Sequence, residues 1–313
     1  MSRAGVIDGH AVRYRPVAAL LAFALSACTP TIYCAAPSEA ECGSEPPLAY
    51  LCGARKPEDL AQIPRTDWIV ASGFSTGAGL KLINTRQRSL RDWFDARPEQ
   101  VTPDRDRFDD CGFPPDPALF TARGISFRER RVGQGELYVV NHGGCESVEV
   151  FAVDYPDAGS EPRLRWLGCL ALPPGHVANS VATYSDGTVL VTILTRPGTT
   201  ITDFVLGQKT GIVMERAPGE ARFRPLKGTE LGGNIGGAAD GMTCHRGYVA
   251  ALLDPSTRSW SVAAYGEPSA SFNGVSSALV VGEELWLGSY QADRVAVRSL
   301  PESSLKLKNE LVR

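Results

Sequence analysis

No excess of positive charge runs through this chain. Its 32 Lys and Arg stand against 35 Asp and Glu, a formal net charge of -3. The electrostatic footprint of a nucleic-acid-binding protein is therefore missing. No Cys-x-x-Cys occurs among its 8 cysteines, which removes a zinc ribbon and a thioredoxin-like redox site. No apolar run reaches the ~20 residues that a membrane-spanning helix needs. The 32 Gly and 22 Pro follow no triplet period, so a collagen-like rod is excluded. Long amphipathic helices are also absent; the best stretch, near Gln87 to Asp95, is short. What is present is the composition of an ordinary globular protein, 43% hydrophobic and 21% charged.

The N-terminus reads as a targeting segment and is set aside before fold reasoning. Arg3, Arg13 and Arg15 precede an uncharged apolar run from Pro16 to Leu25. Leu25-Ser26-Ala27-Cys28 follows directly and resembles the lipobox of bacterial lipoproteins, in which the Cys is diacylated and becomes the new N-terminus. Residue 29 is Thr rather than Asp. In a Gram-negative cell the lipoprotein resemblance then implies the outer membrane, facing the periplasm. Two acyl chains at Cys28 would give a stable anchor. The expected division is a signal peptide over 1–27, a lipidated Cys and tether over 28–57, a folded domain over 58–300 and a tail over 301–313. Seven cysteines follow Cys28, an odd number, in a compartment that permits disulfides. By position alone, Cys34 with Cys42 and Cys52 with Cys111 are plausible pairs.

From Glu58 onward, short apolar strands alternate with turns rich in Gly, Asp, Asn and Pro. Strands are expected at Trp68–Ser72, Leu80–Asn84, Glu136–Asn141, Ser147–Val153, Val189–Leu194, Gly247–Leu253, Ser261–Tyr265 and Leu285–Tyr290. The middle pair forms a hairpin around His142-Gly143-Gly144. A phrase of approach strand, tight turn and second strand begins near Glu58, Arg123, Asn179, Asp240 and Val275. The first three intervals are roughly 60 residues and the last roughly 35, against the 40–50 that a four-stranded propeller blade occupies. The chain is all-β. Its pattern suits a β-propeller, most naturally six-bladed with five phrases visible, and leaves a β-sandwich or barrel open. Residues 93–122, with many Asp and Pro, read as a long surface loop.

Two segments carry a resemblance. Pro57-Glu58-Asp59-Leu60 with Trp68-Ile69-Val70-Ala71-Ser72-Gly73 is the first. Gly124-Ile125-Ser126 with Leu137-Tyr138-Val139-Val140-Asn141-His142 and Glu146-Ser147-Val148-Glu149-Val150-Phe151 is the second. Both resemble the paraoxonase/arylesterase family, within the wider group of gluconolactonase and senescence-marker-protein propellers. Asn179-Ser180-Val181-Ala182, Ala239-Asp240-Gly241-Met242 and Gly288 to Arg294 follow in that group's order. The resemblance implies a six-bladed, calcium-dependent propeller that hydrolyses esters and lactones. It also implies that Glu58, Asn179 and Asp240 hold the catalytic calcium, with Asn273 at the next place. Asp59, with the carbonyl of Ile125, corresponds to a second, structural calcium, although Ser180 replaces an Asp of that site. His142 matches one of two family histidines. Arg123 stands in place of the other. A guanidinium cannot take up a proton near neutral pH, so a His–His relay is excluded; Arg123 is suited instead to an anionic group of the substrate. His142, or a water held by calcium and a carboxylate, is left as the base.

Other motifs fall away. Gly73-Phe74-Ser75-Thr76-Gly77 matches a nucleophile elbow, but a strand follows where a helix is required. Asp104 to Asp110 lacks the Gly and Glu of a calcium loop. Gly232 to Gly237 has neither the Lys nor the helix of a phosphate loop. Two readings result. One is a lipid-anchored, monomeric, calcium-dependent esterase or lactonase acting on a small molecule. The other is a propeller without chemistry that binds a partner in the cell envelope.

Overall fold

The computed structural model describes residues 42–230, 246–254 and 256–305. Cys28, Cys34, Asp240 and Cys244 lie outside them. The described residues are mostly strand and turn, with a five-residue helix, Ile201–Val205, a 3-10 turn at Pro98–Gln100 and a helical stretch over 302–305. The segment Gln87–Asp95 contains a strand rather than a helix.

The chain opens with β1 (Ala49–Cys52), whose partner comes last. The first blade is β2 (Leu60–Gln62), β3 (Trp68–Ser72), β4 (Leu80–Asn84) and β5 (Ser89–Asp92). The second is β6 (Ala122–Arg131), β7 (Gln134–Asn141), β8 (Ser147–Asp154) and β9 (Arg163–Ala171). The third is β10 (Val177–Thr183), β11 (Val189–Thr195), β12 (Ile212–Arg216) and β13 (Arg224–Pro225). A two-stranded sheet follows, β14 (Tyr248–Asp254) with β15 (Ser259–Gly266). The last blade is β16 (Val275–Val281), β17 (Glu284–Ser289) and β18 (Arg294–Ser299), completed by β1. All pairings between these strands are antiparallel.

Among the described residues this is a β-propeller arrangement with four four-stranded blades, against the six expected. The five phrases in the sequence correspond to the five sheets. The phrase expected near Asp240 yields β14 and β15 among the described residues. The tether expected up to residue 57 is also shorter: Ala49–Cys52 pairs with Arg294–Val297 and joins the first part of the domain to the last. Such pairing between chain ends leaves no local signal.

The blade faces explain the sequence pattern. β3 and β4 are buried along their whole length. Trp68, Val70, Leu80 and Leu82 face Leu137, Val139, Phe151 and Val153 of the second blade. Ile69, Ala71 and Ile83 face Trp286, Val295 and Val297 of the last. A strand buried on both sides reads as a continuous apolar run instead of an alternation. The outer strand β5 is mostly exposed and polar, Ser-Leu-Arg-Asp. The loop over 93–121 runs along the outer edge of the second blade, with bridges from Val101 to Trp166 and Asp109 to Cys169. Among the described residues the disulfides are Cys42–Cys52 and Cys111–Cys169, which corrects both pairs expected from position. The loop's course beside β9 brings Cys111 to Cys169, and the turn before β1 brings Cys42 to Cys52. Cys145 is free and exposed.

Leu51 of β1 is buried against this last blade–first blade core. Leu51→Ala is expected to lower stability by about 2–4 kcal/mol in urea denaturation. A change below about 0.5 kcal/mol, typical of a surface position, would mean that residues 49–52 act only as a tether.

Candidate functional site

The innermost strands lie side by side around the ring, β16 beside β2, β2 beside β6 and β6 beside β10. Four residues singled out from the sequence sit at the beginnings of these strands. Glu58 is two residues ahead of β2, Arg123 is the second residue of β6, Asn179 the third of β10, and Asn273 two residues ahead of β16. The same end of each blade therefore supplies one polar side chain.

The strand starts are held by short backbone links. Asp59 Oδ2 accepts the Ile125 N–H at 2.9 Å, and its Oδ1 accepts the Leu60 N–H at 2.9 Å. Ser276 donates to the Glu58 carbonyl at 2.6 Å, and the Ser289 N–H donates to the Pro57 carbonyl at 2.6 Å. Gly124 has no room for a side chain: a Cβ there would strike Ser180 Cα and the Asn179 carbonyl. These contacts bring Arg123 Nε to 3.9 Å from Glu58 Oε2. Both side chains are mostly buried, 18% and 16% exposed. The Arg123 guanidinium lies over the Phe74 ring, 4.1 Å from its centroid.

The cluster is short of partners. Glu58 Oε2, Arg123 Nε and both side-chain polar atoms of the fully buried Asn273 make no hydrogen bond. Asn179, half-buried, makes no side-chain hydrogen bond among the described residues. Buried polar groups are nearly always paired, so such a concentration marks a place where something outside the chain supplies the partners. Burial raises the Glu58 carboxyl to about 7, against the pull of Arg123. Burial likewise draws the Arg123 guanidinium below its ordinary value, opposed by the Glu58 and Glu146 carboxylates.

His142 directly follows β7, and its N–H donates to the Thr121 carbonyl at 3.1 Å. Its Nδ1 is 2.8 Å from the Glu146 carboxylate, while its buried Nε2 has no partner. Glu146 Oε1 also accepts the Ala178 N–H at 2.7 Å, from the strand that carries Asn179. Glu146 was not singled out as a site residue from the sequence. Its spacing from His142, four residues across a Gly-Gly turn, is the only local sign of the pairing. Gly143 permits that turn, since a Cβ there would collide with the Leu119 carbonyl.

Asp59 stands differently from its expected place beside a second calcium. Both of its oxygens are taken by backbone N–H groups, and Ile125 meets it through its N–H. Asp240 lies outside the described residues. Ser75 lies in a turn that leads into β4, as its surroundings required. Among the described residues, no three His, Cys, Asp or Glu side chains form a group able to hold a metal ion. The oxygens at the strand starts are nonetheless of the hard kind that calcium takes, six to eight at a time. Glu58 Oε2 and Asn273 Oδ1 are buried and unsatisfied, and a hard cation would satisfy either, so the donor chemistry fits calcium.

The chain matches no known family profile and no curated protein sequence. Among solved structures it is similar to a Thermus thermophilus protein provisionally described as an oxidoreductase (glucose dehydrogenase). The identity is 13% over 81% of this chain and 99% of that one, with a TM-score of 0.42. It is also similar to a gluconolactonase from Xanthomonas campestris, at 11% identity over 79% of this chain and 58% of that one, with a TM-score of 0.29. A third is Raptor from Chaetomium thermophilum, at 8% identity over 81% of this chain and 29% of that one, with a TM-score of 0.36. The assignments of fold and site rest on the strand pairing and side-chain geometry, not on similarities of this degree.

The Glu58 shift has a direction in pH. Below pH 4.5 the carboxyl is protonated in the folded and unfolded chains alike, and it costs nothing. Between 4.5 and about 7 the unfolded chain ionises while the folded one resists, so stability falls, by roughly 3 kcal/mol at most. In metal-free buffer, Glu58→Gln is expected to match the wild type near pH 4 and to exceed it in melting temperature at pH 8. Parallel curves would show that the carboxyl is solvated.

Proposed function

We propose that this chain is a propeller hydrolase acting on esters or lactones at the strand-start cluster, with calcium as its cofactor. The observation that carries the reading is the group of buried, unsatisfied polar atoms around Glu58, with an oriented His142 nearby. Glu58, Asn179 and Asn273 would hold the ion, together with Asp240 from outside the described residues. When bound, calcium would polarise a substrate carbonyl.

The remaining work falls to the chain's own groups. Glu146 accepts from Nδ1 of His142, which keeps the lone pair of Nε2 free. This is the carboxylate–histidine arrangement of a general base. A water attacks the carbonyl carbon and gives its proton to Nε2. The C–O bond to the leaving alkoxide then breaks, and that oxygen takes the proton from Nε2. A carboxylic acid and an alcohol result; from a lactone both remain in one molecule. The low exposure of Glu58 and Arg123 limits competing water around the reacting group.

We also propose that the chain is exported and held at the outer membrane, facing the periplasm, through lipid on Cys28, and that it works as a monomer. The motif around Cys28 supports this reading. A second reading is a non-catalytic binding module for an envelope partner, favoured by Arg123 at the place where the resembling enzymes carry a histidine.

Residues 29–313, stripped of metal and resupplied with calcium, are expected to hydrolyse phenyl acetate or a δ-lactone and to lose activity in chelator. His142→Ala is expected to lower kcat by about 100-fold or more, the usual contribution of a general base. Glu146→Gln is expected to lower kcat with little change in KM. Absence of turnover on aryl esters and lactones alike would favour the binding module.

A further inference from the structure

Arg123 differs from the other buried arginines of the protein. Arg128 donates to Ser185 O at 2.8 Å and lies 3.3 Å from Glu136. Arg216 pairs with Asp110 and donates to the Glu220 carbonyl at 2.8 Å. Arg294 donates to Asp293 at 2.7 Å. Arg123 offers five N–H donors, is 18% exposed, and makes no hydrogen bond among the described residues.

Neither nearby carboxylate is committed to it. Glu58 stands at 3.9 Å, beyond hydrogen-bond reach. Glu146 is engaged by His142 Nδ1 and by the Ala178 N–H. The guanidinium is fixed over Phe74 at 4.1 Å, so its orientation is set before any ligand arrives. A rigid, planar fork of donors without a partner matches an oxyanion that can accept two parallel bonds.

We propose that Arg123 is a specificity residue that binds a carboxylate group of the ligand, so that the cluster takes an anionic ester, lactone or related acid rather than a neutral one. The inference rests on the strand-start cluster being the ligand site proposed above. It does not require that the ligand be hydrolysed. The carboxylate would lie along the guanidinium edge, leaving His142 for the remainder of the molecule.

The test is calorimetric titration of residues 29–313 with succinate, its neutral dimethyl ester and inorganic phosphate. The expected result is binding of succinate, at least tenfold weaker binding of the diester, and at least a tenfold loss of succinate affinity in Arg123→Gln. Arg123→Lys should recover part of that affinity, since it keeps the charge but not the fork, and it serves as the folded control if the Gln variant is unstable. Equal affinity for succinate and its diester, unchanged affinity in both variants, or tighter binding of phosphate than of succinate would overturn the proposal. Hydrolysis is scored separately with phenyl acetate and mono-4-nitrophenyl succinate. Equal turnover of both, with no effect of Arg123→Gln on either, would leave the hydrolase standing and remove this role. Succinate binding through Arg123 without any turnover would do the reverse.

Discussion

The carboxylate of Asp59 links the first two blades where it matters most. One oxygen closes on the Leu60 N–H at the start of β2, and the other reaches the Ile125 N–H in β6. Two strands from different blades are thereby locked at their beginnings. Glu58 precedes this lock on one side and Arg123 on the other, which fixes their separation. The buried Asp59 carboxyl is raised by desolvation, partly offset by the two N–H groups. Gly124 extends the approach to the third blade, and Ser276 extends it to the last. The functional cluster is thus a consequence of how the inner strands are joined, rather than of any one loop.

Such a cluster is costly to maintain. Each unsatisfied buried polar atom destabilises the fold by about 1–3 kcal/mol. The blade faces supply the compensation. Tightly packed layers lie between the first and second blades, the second and third, the two-stranded sheet and the last blade, and the last blade and the first. The polar atoms concentrate where the strands begin, while the apolar faces fill the space between sheets. This separation lets the strand starts carry unsatisfied polar groups while the bodies of the blades carry stability.

Much of the fold was legible in the sequence because its strands are buried on both faces. Trp68–Ser72 and Leu80–Asn84 were delimited to the residue, and the hairpin around His142 was placed within two residues at its ends. Apolar runs bounded by turn residues are a strong signal. Three features were not legible. The pairing of β1 with β18 joins residues nearly the whole domain apart, and no local pattern announces it. The disulfide partners depend on the path of the loop over 93–121, which spacing does not specify. The expectation of six blades exceeds the four observed for two reasons: the sixth had no phrase of its own and rested on the resemblance, and the phrase near Asp240 does not give a four-stranded sheet among the described residues. In the site, Glu58, Arg123, Asn179 and Asn273 were each named from the resemblance, and the structure puts them at equivalent strand starts. Glu146 carries no signal of its own in the sequence beyond its spacing from His142. Its value depends on meeting both His142 and the Ala178 N–H.

On the proposed reading, a hard cation would complete the unsatisfied oxygens of Glu58 and Asn273. Calcium titrated calorimetrically into metal-stripped residues 29–313, beside Glu58→Ala, tests it most directly. The account predicts one ion per molecule in the wild type and loss of most of that affinity in the variant. No heat of binding in the wild type, or equal binding in both proteins, would contradict it.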